Sequence, residues 1–378
     1  MKISTLLIVV SLCILSNKLF AQNPELINFK INGLINADTG IVELQLFDKN
    51  DSVHKNLEKI AARVQAGKFQ MAGKIKNPIL LAFKFGNSYM SNRTVLDTGT
   101  QSISLNIGSN YENPKNNNAI MMETGVYNAF FKNVFNKDSV QQIERNKIYA
   151  QYGNNIPYDI ELKMMNDLTE SGDRIDSVTL NYVKLYPNSY YALSQLVGAF
   201  LGGYRPVLET AVDTFSDKLK QSTMWKMIFK SMKVAKGISK GHTFPDFVAY
   251  TQNKQPLNKA VYAKNRYTLI DFWYSSCGPC IAQAPQLLKI STEFKSKGFD
   301  IVGISIDKEE KRQAWLDAIE KHKLNWPQFI DVGGLGAAKL NIRVFPTNFL
   351  LDEKGVIVAV NLLPVQIEDL LRQKLDAL

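Results

Sequence analysis

The stretch that decides the fold is Ile270-Asp-Phe-Trp-Tyr-Ser-Ser-Cys-Gly-Pro-Cys280. It begins inside the apolar run Thr268–Trp273, which has the length and composition of a buried strand. A helical period starts at Pro279, which suits a first helical turn because its missing N–H is not needed there. The motif Cys277-Gly-Pro-Cys280 is therefore predicted to lie where a strand turns into a helix.

A cysteine at this place has a chemical advantage. The N-terminus of a helix offers unpaired backbone N–H groups and the positive end of the macrodipole, and both lower the pKa of a thiol. The spacing predicts that Cys277 points outward as a nucleophile and that Cys280, one turn later, lies beneath it to resolve a mixed disulfide. We therefore expect a redox-active Cys277–Cys280 pair and no other cofactor.

Other interpretations of the cysteine pair are weaker. A purely structural disulfide across so short a loop would stabilise the fold little, because it removes little entropy from the unfolded chain. A zinc site would need two more ligands, and the three histidines of the sequence are scattered without helical pairing. A chance occurrence of the motif is disfavoured, because its two cysteines are the only ones outside the predicted signal segment, in which Cys13 lies.

The sequence around this motif alternates between strand-like and helix-like segments. Strands are predicted at Thr268–Trp273, Phe299–Ile306, Asn348–Leu351 and Val356–Asn361, and helices at Pro279–Lys295, Glu309–Lys323 and Ile367–Leu378. Strands joined by helices must run parallel, whereas the last two are joined by a turn. Residues 241–378 are therefore predicted to form an α/β domain.

The chain ahead of this domain has two other patterns. From about residue 24 to 108, apolar residues alternate with polar ones, as in Ile27, Phe29 and Ile31, so residues 22–110 are predicted as an antiparallel β-sandwich. This part has no catalytic spacing, which favours a spacer or docking module. A polar linker is predicted at 111–118, and the helical period after it predicts a helical region over 119–236.

The first 21 residues predict a cleavable signal peptide. Lys2 supplies the positive end, Leu6–Leu15 the apolar segment, and Leu19-Phe-Ala21 the cleavage site. An uncleaved anchor or a lipoprotein is the alternative, although Leu12 is too large for a lipobox before Cys13. The predicted location is therefore the periplasm or cell envelope.

The net charge does not indicate a nucleic-acid partner. The 378 residues carry a formal charge of +10, but Lys and Arg are spread along the chain without a block that could follow phosphates. Such a surface is compatible with peripheral association with anionic lipid headgroups. The sequence has no nucleotide-binding or metalloprotease motif, so neither a bound nucleotide nor a catalytic metal is predicted.

Taken with Ala284-Pro285 and Val344-Phe-Pro-Thr347, residues 270–280 resemble the thioredoxin superfamily. More narrowly, they are similar to the exported TlpA/ResA-like thiol–disulfide oxidoreductases, a group that Gly303-Ile-Ser-Ile-Asp307 and Phe244-Pro-Asp-Phe247 also fit. The resemblance covers roughly residues 241–378. The preceding β-domain and helical region resemble such proteins in arrangement only, and imply no assigned function.

The resemblance implies four catalytic residues. Besides Cys277 and Cys280, Pro346 matches the family's cis-proline, which packs against the dithiol. Asp271 matches the family's buried acid beneath the second cysteine. Burial would raise the pKa of this carboxyl and let it exchange a proton with Cys280.

The resemblance also implies a substrate-binding surface. The backbone of Phe345 would accept a substrate strand, and Trp273 would shield the site. Gly278 and Pro279 complete this predicted surface, and a Gly-Pro pair between the cysteines resembles reducing thioredoxins.

The sequence departs from the family pattern at two positions. Gln283 stands where TlpA-like proteins often carry Glu, so Asp271 would have to transfer protons alone. Ser276 replaces a common Trp before the first cysteine, which would flatten the rim of the site and alter the choice of partner.

These residues predict an exported dithiol oxidoreductase that reduces protein disulfides and is recharged by a membrane-bound thiol electron donor. The resemblance makes cytochrome c maturation one candidate pathway. One alternative is an envelope binding or assembly protein with a thioredoxin-like domain. A peroxiredoxin-like peroxidase fits less well, because Ile270 occupies the position where that family needs Pro.

Overall fold

The structure is a computed structural model that describes residues 25–48, 51–108, 112–153 and 156–375. The predicted signal peptide, including Cys13, lies outside these described residues. Within the described ranges, no helix is both long and apolar enough to cross a bilayer.

The N-terminal part is rich in strands, as predicted. Its strands are β1 Ile27–Ile35, β2 Thr39–Leu46, β3 Ala61–Gln65, β4 Lys68–Ile75, β5 Ile79–Phe85, β6 Tyr89–Met90, β7 Thr94–Leu96, β8 Gly99–Leu105 and β9 Lys115–Asn116. They form one hydrogen-bonded sheet in the order β6-β5-β2-β3-β4-β1-β8-β9, and β7 pairs with β5. Alternate side chains of the long strands point into a single apolar core.

Two details of this sheet differ from the sequence-based expectation. β1 and β8 pair in parallel rather than antiparallel, with Phe29 opposite Gly99. The two strands run in the same direction because the chain passes through β5, β6 and β7 before β8 pairs with β1. The predicted linker is partly ordered as β9, an edge strand on β8. A side-chain amide helps to hold it there, because the side-chain oxygen of Asn117 accepts a hydrogen bond from the Ser102 N–H at 2.7 Å.

The middle region is helical, as predicted. Its helices are α1 Ala119–Met122, α2 Thr124–Tyr152, α3 Tyr158–Leu185, α4 Tyr190–Gln195, α5 Pro206–Thr214, α6 Asp217–Lys220 and α7 Thr223–Gly237. The aromatic residues of α2 and α3 form its core rather than a binding site: Tyr127 stacks on Phe131 at 4.2 Å and meets Tyr182 edge-on at 5.0 Å.

The C-terminal part alternates strands and helices around a five-stranded sheet. Its elements are α8 Lys259–Tyr262, β10 Tyr267–Trp273, α9 Gly278–Phe294, β11 Phe299–Ser305, α10 Arg312–Lys321, β12 Gln328–Ile330, α11 Leu335–Lys339, β13 Thr347–Asp352, β14 Ile357–Val360 and α12 Pro364–Leu375. The strand order is β12-β11-β10-β13-β14. β10, β11 and β12 run parallel, and β13 and β14 run antiparallel to their neighbours. This is the arrangement that the resemblance implied.

The helical region packs directly on the C-terminal domain. Met164 and Met165 of α3 form a buried apolar cluster with Val365 of α12. The Gln286 amide of α9 donates to the Glu161 carboxylate of α3 at 3.2 Å. The helix that follows the two cysteines is therefore supported from outside its own domain.

Candidate active site

The fold places the cysteine motif at one edge of the C-terminal sheet. β10 is the central strand, bonded on one side to β11 and on the other to β13. Because β10, β11 and β12 are parallel, their carboxyl ends meet at the same edge, and ligands bind at this edge in many α/β folds. The loop 274–277 leaves β10 there and leads into α9.

The two cysteines are joined at the start of α9. Cys277 and Cys280 form a disulfide with their Cα atoms 5.3 Å apart. Cys277 is the N-cap of the helix, and its Sγ accepts a hydrogen bond from the Cys280 N–H at 3.2 Å. The strand-to-helix placement predicted from the sequence is confirmed, and the first helical N–H groups face the sulfur that would carry a thiolate.

The prediction that Cys277 points outward is wrong for this disulfide-bonded form. Only 1% of Cys277 is exposed, against 8% of Cys280. The sulfur of Cys277 is turned back over the helix terminus and belongs to an apolar cluster against which Tyr274 and Phe345 pack. The disulfide is therefore largely covered in this form.

Asp271 lies beneath this motif on β10. Its side chain is buried, and desolvation raises the pKa of the carboxyl to about 7. A narrow cavity of about 10 Å³, roughly the room one water needs, is lined by both Asp271 and Cys280. The predicted acid thus stands next to the second cysteine, in a position suited to proton exchange through a water.

The loop before β13 brings the other predicted residues to the site. The Phe345–Pro346 peptide bond is cis, as the resemblance implied. The Phe345 ring meets Tyr274 edge-on at 5.6 Å, so the two loops that flank the disulfide touch through their aromatic side chains. Both Phe345 and Pro346 are half-buried.

The remaining predicted contact residues divide into two groups. Gly278 and Pro279 are exposed in the first turn of α9. Trp273 is buried, and its indole N–H donates to the side-chain oxygen of Gln328 at 3.2 Å. Trp273 therefore contributes packing beneath the site, whereas Gly278 and Pro279 are open to a partner.

Asp307 is a site residue whose role the sequence did not reveal. Its carboxylate accepts hydrogen bonds from the N–H and the hydroxyl of Ser275, both at 2.8 Å, and from the Ser305 hydroxyl at 2.7 Å. Its backbone carbonyl accepts from the Gly333 N–H at 3.0 Å. Asp307 thus fixes the loop two residues before Cys277. The only signal was its place directly after a strand that ends at the same edge.

The described residues contain no group of three or more His, Cys, Asp or Glu side chains arranged to hold a metal ion. The departures at Gln283 and Ser276 leave a half-buried amide and an exposed hydroxyl near the motif. Asp271 is the acid whose side chain lines the cavity beside Cys280.

Comparisons with known proteins agree with this geometry. A family model described as Redoxin matches residues 239–375. The thioredoxin-like protein YneN of Bacillus subtilis is 30% identical over 155 residues, which cover 41% of this chain and 89% of that protein. Sporulation thiol-disulfide oxidoreductase A of the same organism is 29% identical over 136 residues, covering 32% and 82%. A solved thiol-disulfide oxidoreductase from Bacteroides fragilis is 33% identical and covers 35% of this chain and 99% of its own, with a TM-score of 0.32.

The parallel strands, the disulfide at a helix start and the two Bacillus subtilis relatives define a thioredoxin-like thiol–disulfide oxidoreductase. The chain belongs to the thioredoxin superfamily, within its ResA/TlpA-like group. The additional β-domain and helical region precede the residues that the family model matches.

Proposed function

We propose that this oxidoreductase is exported and reduces protein disulfides through Cys277 and Cys280. The observation that carries the proposal is the joined pair at the start of α9, with a buried carboxyl beside the second sulfur. Two electrons pass from the reduced pair to each substrate disulfide.

The reaction begins when the Cys277 thiolate attacks one sulfur of the substrate disulfide. A mixed disulfide forms, and the other substrate sulfur leaves as a thiolate that takes up a proton. Cys280 then loses its proton and attacks the sulfur of Cys277. The Cys277–Cys280 disulfide forms, and the second substrate thiol is released.

Asp271 supports the second step as acceptor of the Cys280 proton. A carboxyl whose pKa is about 7 is close to half protonated at neutral pH, so it can both accept and return a proton. The small cavity between Asp271 and Cys280 leaves room for the water that would carry the proton.

The burial of the disulfide supports a dedicated donor. Because Cys277 is covered in the oxidised form, a donor that docks on this protein and opens the site would reduce it more readily than a small thiol in solution. A membrane-bound thiol donor outside the cytoplasm would supply two electrons and two protons to the disulfide. Cytochrome c maturation is the candidate pathway, and the predicted signal peptide gives the proposal its compartment.

Insulin reduction tests the proposal. Reduced wild-type protein should reduce insulin disulfides, followed by precipitation of the insulin B chain, and Cys277→Ser should be inactive. Cys280→Ser should instead stop after one attack and accumulate a mixed disulfide, detectable by non-reducing electrophoresis. Equal turnover by wild type and Cys277→Ser would contradict this mechanism and favour a binding or assembly role.

A further inference from the structure

A wide cavity lies on the β-domain, and none of the residues that line it belongs to the redox domain. It is a cavity of about 600 Å³, within the range typical of ligand sites. Its lining residues are Asn32, Gly33, Leu34, Lys68, Phe69, Gln70, Ser102, Ile103, Ser104, Lys115, Asn116 and Asn117. These are three consecutive residues from each of four neighbouring strand segments, so the cavity is a trough that crosses β4, β1, β8 and β9.

The register of the strands explains the walls of this trough. Outward-pointing side chains form two rows across the sheet, one on each side. The first row is Gln70, Asn32, Ser102 and Asn117, and the second is Lys68, Leu34, Ser104 and Lys115. The first row is uncharged and polar, whereas the second has a lysine at each end.

The floor of the trough is backbone over an apolar layer. Phe69, Gly33 and Ile103 are paired side by side between the two rows, and their side-chain direction is inward. A Cβ at Gly33 would lie 2.1 Å from the Phe69 ring, so that ring fills the space directly beneath the glycine. A ligand that rests on this floor therefore lies along a flat surface between the polar row and the row that has a lysine at each end.

The charged side chains that line the trough are all positive. Lys68 and Lys115 are exposed, and neither forms an ion pair with another described residue. None of the described residues that line the trough is acidic. A ligand with a negative charge near each end would complement both lysines, whereas a cationic ligand would be repelled.

The distance between the lysines sets the length of that ligand. They stand on strands separated by three strand spacings, about 14 Å at roughly 4.8 Å for each spacing. An extended peptide rises about 3.4 Å per residue, so about four residues span this distance. Alternate side chains then face the floor, which places an apolar side chain midway between two acidic ones.

From this register and charge we infer that the trough binds an extended acidic segment of a partner protein, with the pattern acid–x–apolar–x–acid. The amide and hydroxyl side chains of Asn32, Gln70 and Ser102 would meet its backbone along one wall. Lys68 and Lys115 would pair with its two carboxylates.

The test is binding of a fluorescein-labelled peptide, Ser-Glu-Thr-Val-Thr-Glu-Ser, to the full chain, followed by fluorescence anisotropy. The double variant Lys68→Glu/Lys115→Glu should bind this peptide about tenfold more weakly, since each exposed ion pair contributes little but both change from attraction to repulsion. Binding should also weaken as salt rises from about 50 to about 300 mM.

Matched controls separate the trough from general surface charge. Lys30 and Lys74 are exposed on the same sheet but do not line the trough, so Lys30→Glu/Lys74→Glu should leave binding within twofold. A peptide of the same composition with its two Glu adjacent should bind more weakly. Insulin reduction should be unchanged in both double variants, which separates this inference from the proposed redox function.

The inference is overturned if the peptide binds no better than its version with Lys for Glu. It is also overturned if the control double variant weakens binding as much as the trough variant. Binding of phosphatidylglycerol vesicles that depends on Lys68 and Lys115, and that the peptide does not displace, would instead assign the trough to lipid and refute a peptide partner. Thermal unfolding of each variant confirms that the β-domain is intact.

Discussion

Asp271 lies on the central strand almost out of contact with solvent, and burial raises its pKa to about 7 from the usual 3.8. The folded state therefore holds this proton more tightly than the unfolded state does. Ionisation of Asp271 therefore costs the folded state nothing below about pH 4, costs progressively more between pH 4 and 7, and reaches its full cost above pH 7. The full penalty is up to about 4 kcal/mol.

Asp271→Asn should remove this penalty, since an amide does not ionise. We expect the variant to be more stable than wild type at pH 8 and the difference to vanish near pH 4, measured by chemical denaturation across this range. Its insulin reduction at pH 7 should fall about 100-fold because Cys280 loses its proton acceptor. A stability difference that does not change with pH would refute the buried ionisable acid.

The residue scale also shows what the sequence could not predict. The positions of Cys277 and Cys280 at a helix start followed from local pattern alone. The covering of Cys277 did not, because Phe345 reaches the site from a distant loop whose placement depends on the whole sheet. Asp307 was missed for the same reason, since its partner Ser275 lies on another strand's loop.

The buried carboxylate of Asp307 fixes Ser275 in the loop between β10 and α9. Asp307→Asn would turn an amide N–H toward one of the donors of Ser275, which should cost about 1–3 kcal/mol in unfolding free energy. We expect the loosened loop to change the alkylation rate of Cys277 by iodoacetamide, measured in a Cys280→Ser background.

Asp300 provides the matched control for that experiment. It is also buried, but it lies near the opposite end of β11, where its carboxylate accepts from the Ile301 N–H at 2.9 Å. Asn retains an oxygen for this bond, so Asp300→Asn should leave the alkylation rate unchanged. Equal changes in both variants would indicate a general loss of stability rather than control of the Cys277 loop.

Elements with a clear period were predicted better than short ones. β10, β11 and α9 lie within one residue of their predicted bounds, because buried strands and an amphipathic helix have strong local patterns. β12, only three residues long, was not predicted because a segment of that length has no measurable period. Its existence depends on pairing with β11.

Across the whole molecule, α3 joins the helical region to the redox domain through a small apolar cluster. Met165→Ala should lower the free energy of unfolding by about 2–4 kcal/mol, because Met165 is buried against Val365. Leu168→Ala on the same helix removes a side chain that is 39% exposed and should cost less than about 1 kcal/mol. Calorimetry of both variants measures the difference. Equal losses would mean that this contact does not stabilise the assembly.

The parallel pairing of β1 with β8 has a consequence for biogenesis. β1 is an interior strand of its sheet, and Asn36 bonds to Asn106, 70 positions further along the chain. β1, the first of the described strands, consequently has no partner on that side until β8 has been synthesised. Non-local pairing of this kind is slow to form. Such late closure of the sheet would suit the proposed export, because a nascent polypeptide that has not completed its fold can still pass through a translocation channel.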